Sequence, residues 1–102
     1  MKKTVFVIAF RHADQRIAER WGSLRFLCEI AFPKFKIHEM HEHFHAILTE
    51  ESSPEDYLLL SGLSVMNSIA TGILSHLHGR VNFLIHSTRI QDYVPVTVEF
   101  RK

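Results

Sequence analysis

The sequence predicts a single α/β domain built on a mostly parallel sheet, and three observations support this class. Apolar runs of strand length alternate along the 102 residues with segments of helical periodicity. A chain of this length forms one domain, here residues 1–102, and can bury a core without disulfides. No internal repeat, low-complexity tract or linker interrupts the alternation.

Five segments have the composition of strands. They are residues 5–10, 24–32, 57–60, 81–85 and 94–100. The first is a continuous apolar run, which is typical of a strand covered on both faces. The second alternates apolar and polar residues, which indicates a position near an edge. Pro95 places the last strand on an edge, because proline cannot donate a ladder hydrogen bond.

Three segments have helical spacing of their apolar residues. The first is residues 14–21, whose predicted inward side chains are Ile17, Ala18 and Trp21. The second is residues 36–49, with Ile37, Met40, Phe44, Ile47 and Leu48 inward. The third is residues 64–78, with Val65, Ile69, Ile73 and Leu77 inward. Gly22 and Gly79 follow the first and third as C-caps. The order β-α-β-α-β-α-β-β predicts a Rossmann-like three-layer domain, with the last strand antiparallel in a C-terminal hairpin.

Composition excludes several classes of protein. A formal net charge of +1 gives no broad cationic surface for duplex nucleic acid. The single cysteine, Cys28, can form neither an internal disulfide nor a zinc site, which favours a reducing, cytoplasmic setting. The apolar run near the N-terminus is too short for a membrane span or a signal peptide. Neither GxGxxG nor GxxxxGK[ST] occurs, which argues against dinucleotide oxidoreductases and P-loop NTPases.

Polar residues follow the predicted parallel strands, at the edge where open sheets bind ligands. They form a predicted phosphate-binding rim of Arg11, His12, Ser61, Gly62, Ser64, Asn67, Ser87, Thr88 and Arg89. Arginine supplies a cationic fork for phosphate, and a helix start offers unpaired N–H groups to an anion. Each residue also has a structural reading, since Ser64 is a good N-cap, Gly62 a turn glycine and the arginines ordinary loop residues.

Histidines form a second candidate site. His38, His41 and His45 lie within about 60° of one another on their helix, so a divalent metal is geometrically feasible, with Glu42 nearby. Half-buried histidines beside a core are the commoner outcome, and we expect no metal and no cofactor. His78, Gly79 and Arg80 precede a strand at the opposite edge, where a helix C-cap explains them.

The helix predicted for Ser64–His78 contains no Asp, Glu, Lys or Arg. Its second side is formed by small residues, Ser68, Thr71, Gly72 and Ser75. A surface helix normally carries charge there, so this helix is expected to be covered. A homodimer contact is the preferred explanation, because a two-fold interface uses one patch twice. Packing beneath a neighbouring loop is the alternative.

Several short stretches resemble small Csx-type CRISPR-associated proteins of type III systems. They are residues 57–64, the end of the apolar helix at His78-Gly79-Arg80, the strand closing on Thr88-Arg89, the terminal strand and, in placement, Arg11-His12. The likeness covers most of the chain in layout, with residues 32–55 outside it. His78-Gly79-Arg80 is its sharpest part.

This resemblance implies a Rossmann-like homodimer that acts as a metal-independent ring nuclease. Its substrate would be a cyclic oligoadenylate, most simply cyclic tetra-adenylate, cut by attack of a ribose 2′-hydroxyl on the adjacent phosphodiester. Arg11 and Arg89 would then stabilise the phosphate, and His12, or more weakly His86, would move protons. A non-enzymatic module that binds the same nucleotide and a metal-binding protein using the histidines remain as alternatives.

Overall fold

The computed structural model describes residues 3–8, 13–27, 36–60 and 64–100. The elements are β1 (Thr4–Val7), a 3₁₀ helix (Ala13–Trp21), β2 (Ser23–Phe26), α1 (Ile37–Glu51), β3 (Tyr57–Leu59), α2 (Ser64–His78), β4 (Arg80–Ser87) and β5 (Asp92–Glu99). Within these ranges, no helix is long and apolar enough to cross a membrane.

The five strands form one mixed sheet in the order β2-β1-β3-β4-β5. β1 pairs in parallel with β2 and β3, and β3 pairs in parallel with β4. β5 runs antiparallel to β4 over eight residue pairs, from Arg80 opposite Glu99 to Ser87 opposite Asp92. The predictions of an α/β class, a mostly parallel sheet and an antiparallel edge strand at the C-terminus are therefore confirmed.

Each face of the sheet carries its own apolar cluster, because side chains alternate along a strand. On one face, Phe6 and Leu58 pack with Met40 and Phe44 of α1 and Ile73 of α2. We call this the helical face.

The opposite face is covered by the 3₁₀ helix. Its buried residues are Val5, Val7, Ala18, Leu59, Leu84 and Tyr93, with Trp21 packed against them. The parallel strands are thus buried on both sides, as their continuous apolar runs predict.

Some predicted inward residues lie outside the core. Ile17 is 40% exposed, because residues 13–21 form a 3₁₀ helix in which Ala18 and Trp21, three apart, share the inner side. Val65 is 50% exposed, since a repeat of four residues drifts around a helix of 3.6 residues per turn. Ile37, at the first position of α1, is also exposed.

The end of α2 is capped where the chain turns into β4, and it is hydrogen-bonded to the end of α1. Gly79 has φ +71°, and its N–H donates to Ser75 O at 2.8 Å, so it is the left-handed cap that the sequence predicts. Ser52 Oγ donates its only proton to Leu48 O at 2.6 Å and therefore accepts from His78 Nε2 at 2.8 Å. His78 thereby joins the ends of α1 and α2.

A bidentate ion pair joins β2 to the end of α1. Arg25 Nε donates to Glu51 Oε1 at 2.9 Å and Arg25 Nη2 donates to Oε2 at 3.0 Å. Hydrogen bonding from Arg25 is the main cause that lowers the pKa of Glu51 below its ordinary value of 4.5. Because the folded-state pKa is depressed, this contribution to stability is present above pH 4.5 and is lost as pH falls through the lowered value.

A Glu51→Gln variant is expected to lose less than about 1 kcal/mol at pH 7, since both partners are well exposed. The difference from the parent should vanish in acid. Urea unfolding at pH 7 and pH 3 measures it, and Glu50→Gln, the same charge change one residue away, is the control. Equal losses in both variants at pH 7 would contradict a specific role for the pair.

Candidate functional site

The candidate site lies at the carboxyl edge of the parallel strands. Four predicted rim residues, Arg11, His12, Ser61 and Gly62, fall outside the described residues. Ser64 is described as the first residue of α2, without its side chain, and Asn67 lies half-buried one turn later. The predictions for the loops after β1 and β3 therefore stay predictions.

The loop after β4 is a tight hairpin connection. Ser87 is the last residue of β4 and pairs with Asp92, the first residue of β5. Thr88 and Arg89 follow in the turn, where Gln91 Nε2 donates to Thr88 O at 2.9 Å. The rim residues at positions 87–89 thus follow the strand next to β3 and two strands from β1, and they lie beyond Leu84, the residue that pairs with the end of β3.

The described charges at this edge leave an excess of positive charge. Asp92 Oδ2 is paired with Arg20 Nη2 at 2.8 Å, and Asp92 Oδ1 accepts the N–H of Tyr93 at 2.7 Å. The first turn of α2 contains no acidic residue. Arg89 is exposed and, within the described ranges, makes no ion pair. An anion that approaches this edge therefore meets the unpaired guanidinium of Arg89 and the carboxylate of Asp92, whose charge is balanced by Arg20.

His86 lies away from the turn. Its ring packs edge to face on Tyr93, with the ring centroids 5.2 Å apart, and these two residues are cross-strand neighbours. Both belong to the face of the sheet covered by the 3₁₀ helix, as the burial of Tyr93 in that cluster shows. Its predicted part in proton transfer stays a prediction.

The histidines of α1 do not form a metal cluster in the part of the chain that the structure describes. His41 and His45 stack with their centroids 5.7 Å apart, whereas His38 is exposed one turn earlier. Across those same ranges, no group of three or more His, Cys, Asp or Glu side chains could hold a metal ion.

The opposite, amino edge of the sheet is occupied by a polar network that the sequence analysis missed. Asn82 is buried, with 6% of its surface exposed. It donates through Nδ2 to Pro54 O at 2.9 Å and to Asp56 O at 3.1 Å. Its Oδ1 accepts from Arg80 Nη2 at 3.1 Å and from Thr97 Oγ1 at 2.7 Å. This network ties the loop before β3 to β4 and β5.

The described residues define a small α/β protein with an exposed arginine, Arg89, at the carboxyl edge of its sheet. Residues 4–100 match the family described as Phage Pam3 gp32-like protein, and the chain belongs to that family. Comparisons with curated proteins and with solved structures gave no match.

The resemblance to Csx-type CRISPR-associated proteins is therefore wrong, because the family that spans the chain is a phage family. The roles in CRISPR signalling, antiviral defence and ring-nuclease cleavage that depended on it are withdrawn. The structure explains why the sharpest motif misled. His78 binds Ser52, Gly79 adopts a left-handed cap and Arg80 binds Asn82, which are requirements of a helix that turns into a strand.

Proposed function

We propose that this protein binds a small phosphate-bearing ligand at the carboxyl edge of β1 and β3. The observation that carries the proposal is the strand order β2-β1-β3-β4-β5. From β1 the chain moves outward to β2 on one side, and then crosses back to β3 on the other. The connections therefore diverge between β1 and β3, and open α/β sheets bind ligands at such a switch point.

The pairing of β1 with β3 supports this position. Val7 and Leu59, the last residues of the two strands, are directly opposite each other. The chain segments that leave them contain Arg11, His12, Ser61 and Gly62, which are residue types suited to phosphate. A Rossmann-like arrangement, in which a ligand lies across this crevice, is part of the proposal.

Charge favours an anionic ligand over a cationic one. α2 begins immediately after β3 and presents its positive dipole end to this edge, with no acidic residue in its first turn. Arg89 adds a cationic side chain from the neighbouring strand, while Asp92 is neutralised by Arg20. Phosphate groups of a nucleotide match this arrangement, because they accept both charged and backbone hydrogen bonds.

Thermal-shift and ¹⁵N NMR titrations test the proposal. The probes are inorganic phosphate, pyrophosphate, AMP, ADP and cyclic tetra-adenylate, at 50 mM and 300 mM salt. At least one is expected to raise the melting temperature and to shift amide resonances at the ends of β1 and β3 and the start of α2. Absence of binding by every probe at low salt would refute the proposal.

An Arg89→Gln variant is expected to weaken that binding about tenfold, since a charge-assisted hydrogen bond contributes about 1.5–3 kcal/mol. Its unfolding should be unchanged because Arg89 is exposed. Arg16→Gln is the matched control: it removes the same charge from an exposed arginine of the 3₁₀ helix, whose ion pair with Glu19 is long at 3.7 Å. If both variants weakened binding equally, a diffuse field rather than this edge would be responsible.

A further inference from the structure

β5 carries an apolar stripe that none of the described helices covers. Side chains alternate along a strand, so the residues that share one side are Val94, Val96, Val98 and Phe100. The β4 residues opposite Val94, Val96 and Val98 are Ile85, Phe83 and Val81, in that order. Of these, Val81 and Phe83 belong to the cluster beneath α2. The stripe is thus a continuation of the helical face, beyond the last helix.

These side chains are large and apolar, and all of them are partly exposed to solvent to a similar degree. Ile85 and the four stripe residues are 37–43% exposed. We define these five residues as the β5 face. Together they expose roughly 350 Å² of apolar surface, which is the size of the largest apolar patch on a typical monomer, and such patches are often functional.

We infer that the β5 face binds a second copy of this chain, with a two-fold axis near Val96. The area is the first argument. A stable interface buries about 800 Å² on each partner, and about 60% of it is apolar, so roughly 350 Å² supplies most of the apolar core that a homodimer needs.

Charge is the second argument for a second copy. In a two-fold dimer, a group at the axis lies beside its own symmetric copy, so a charge there would face a like charge. A patch that binds its own copy must therefore be uncharged at its centre. The five side chains of the β5 face are uncharged, and α2 has no Asp, Glu, Lys or Arg along its length.

The backbone of β5 favours contact through its face over pairing through its edge. Phe100 N–H donates to Gly79 O, so even-numbered residues point their amides at β4 and odd-numbered ones point outward. Among the outward positions, Pro95 has no N–H and the N–H of Tyr93 is bonded to Asp92 Oδ1. A strand added along this edge would therefore lack two of the N–H donors that β5 would otherwise offer it.

Sedimentation equilibrium and light scattering on the full chain test the inference. We expect a species of twice the 11.9 kDa chain mass at micromolar concentration. Val96→Lys should raise the dissociation constant about 100-fold or more, because it places two ammonium groups at the axis. Ile17→Lys is the matched control: Ile17 is 40% exposed, as Val96 is at 39%, but it lies on the 3₁₀ helix, and its dimer should persist.

A cross-link distinguishes loss of the contact from loss of the fold. In a Cys28→Ser background, Val96→Cys should form a disulfide-linked dimer on mild oxidation, and Ile17→Cys should not. A chain that is monomeric up to 100 µM would overturn the inference, as would a dimer that Val96→Lys leaves intact. Growth into open-ended oligomers would overturn it as well, because a two-fold contact closes on itself.

Discussion

A Gly22→Ala variant is expected to lose about 3 kcal/mol or more of its free energy of unfolding, because the added methyl has no space to occupy. A Cβ at position 22 would lie 2.3 Å from Lys3 O and 2.7 Å from Lys3 C. Both are backbone atoms, so no side chain can move aside. The same oxygen accepts the N–H of Ser23 at 3.0 Å and so begins the pairing of β1 with β2.

Relief of this clash requires that β2 move away from the strand that holds it. β1 is an inner strand of the sheet and β2 is the edge strand beside it, so the displacement opens that edge. The expected loss is a large share of the roughly 5–15 kcal/mol that stabilises a domain of this size. It corresponds to a fall in melting temperature of roughly 15 °C.

Urea unfolding followed by circular dichroism measures the effect. Gly72→Ala is the matched control, since a Cβ there has no neighbour within 4 Å. Gly72 lies in the middle of α2, where alanine is expected to stabilise by about 0.5–1 kcal/mol. Comparable destabilisation in the two variants would contradict the steric account of Gly22.

Gly22 also shows what a sequence can and cannot predict. The pattern correctly predicts that glycine ends the helix before it. The contact that makes glycine necessary is with Lys3, nineteen positions earlier, and no local pattern reports it. The same distinction holds for α2, whose bounds at Ser64 and His78 follow from apolar periodicity and a cap glycine. Which of its sides is buried depends on neighbouring elements.

The hairpin of β4 and β5 is longer than its apolar core predicts. Strand β4 was predicted to end at Ile85 but continues to Ser87, because His86 and Ser87 still pair with Tyr93 and Asp92. Polar residues at strand ends are held by cross-strand bonds that the hydrophobic pattern does not reveal. The consequence for the candidate site is that Ser87 belongs to β4, and Thr88 and Arg89 lie in a short turn rather than an open loop.

The candidate site was predictable as a location and only in part as a set of residues. Alternation of strands and helices already places a ligand edge at the carboxyl ends of the strands. The pairing of Asp92 with Arg20, which leaves Arg89 without an ion pair among the described residues, requires the three-dimensional arrangement. The family resemblance failed because it depended on a tripeptide that any helix-to-strand turn can use.

Asn82 is the residue whose substitution tests the polar network at the amino edge. It stands within the predicted apolar strand 81–85, where its sequence neighbours suggest no special role. Its amide makes four hydrogen bonds: two carbonyls of the loop before β3 accept from it, and the side chains of Arg80 and Thr97 donate to it. A buried amide that is fully satisfied binds β3, β4 and β5 together.

An Asn82→Asp variant is expected to lose about 3 kcal/mol of unfolding free energy, since each buried group left unpaired costs about 1–3 kcal/mol. The carboxylate has nearly the same shape but no N–H, so the carbonyls of Pro54 and Asp56 lose their donor and face a negative charge. Asp56 itself holds the start of β1, because its Oδ1 accepts the N–H of Thr4 at 2.8 Å. Displacement of this loop would therefore spread to β1.

Thr97→Val is the matched control in the same network. It removes one hydrogen bond to Asn82 Oδ1 and leaves Arg80 as the donor, so a loss of about 1 kcal/mol is expected. Chemical denaturation of both variants gives the comparison, and amide exchange shows whether protection at Thr4 falls with Asn82→Asp alone. Equal stabilities for the two variants would contradict the role assigned to the Nδ2 donors of Asn82.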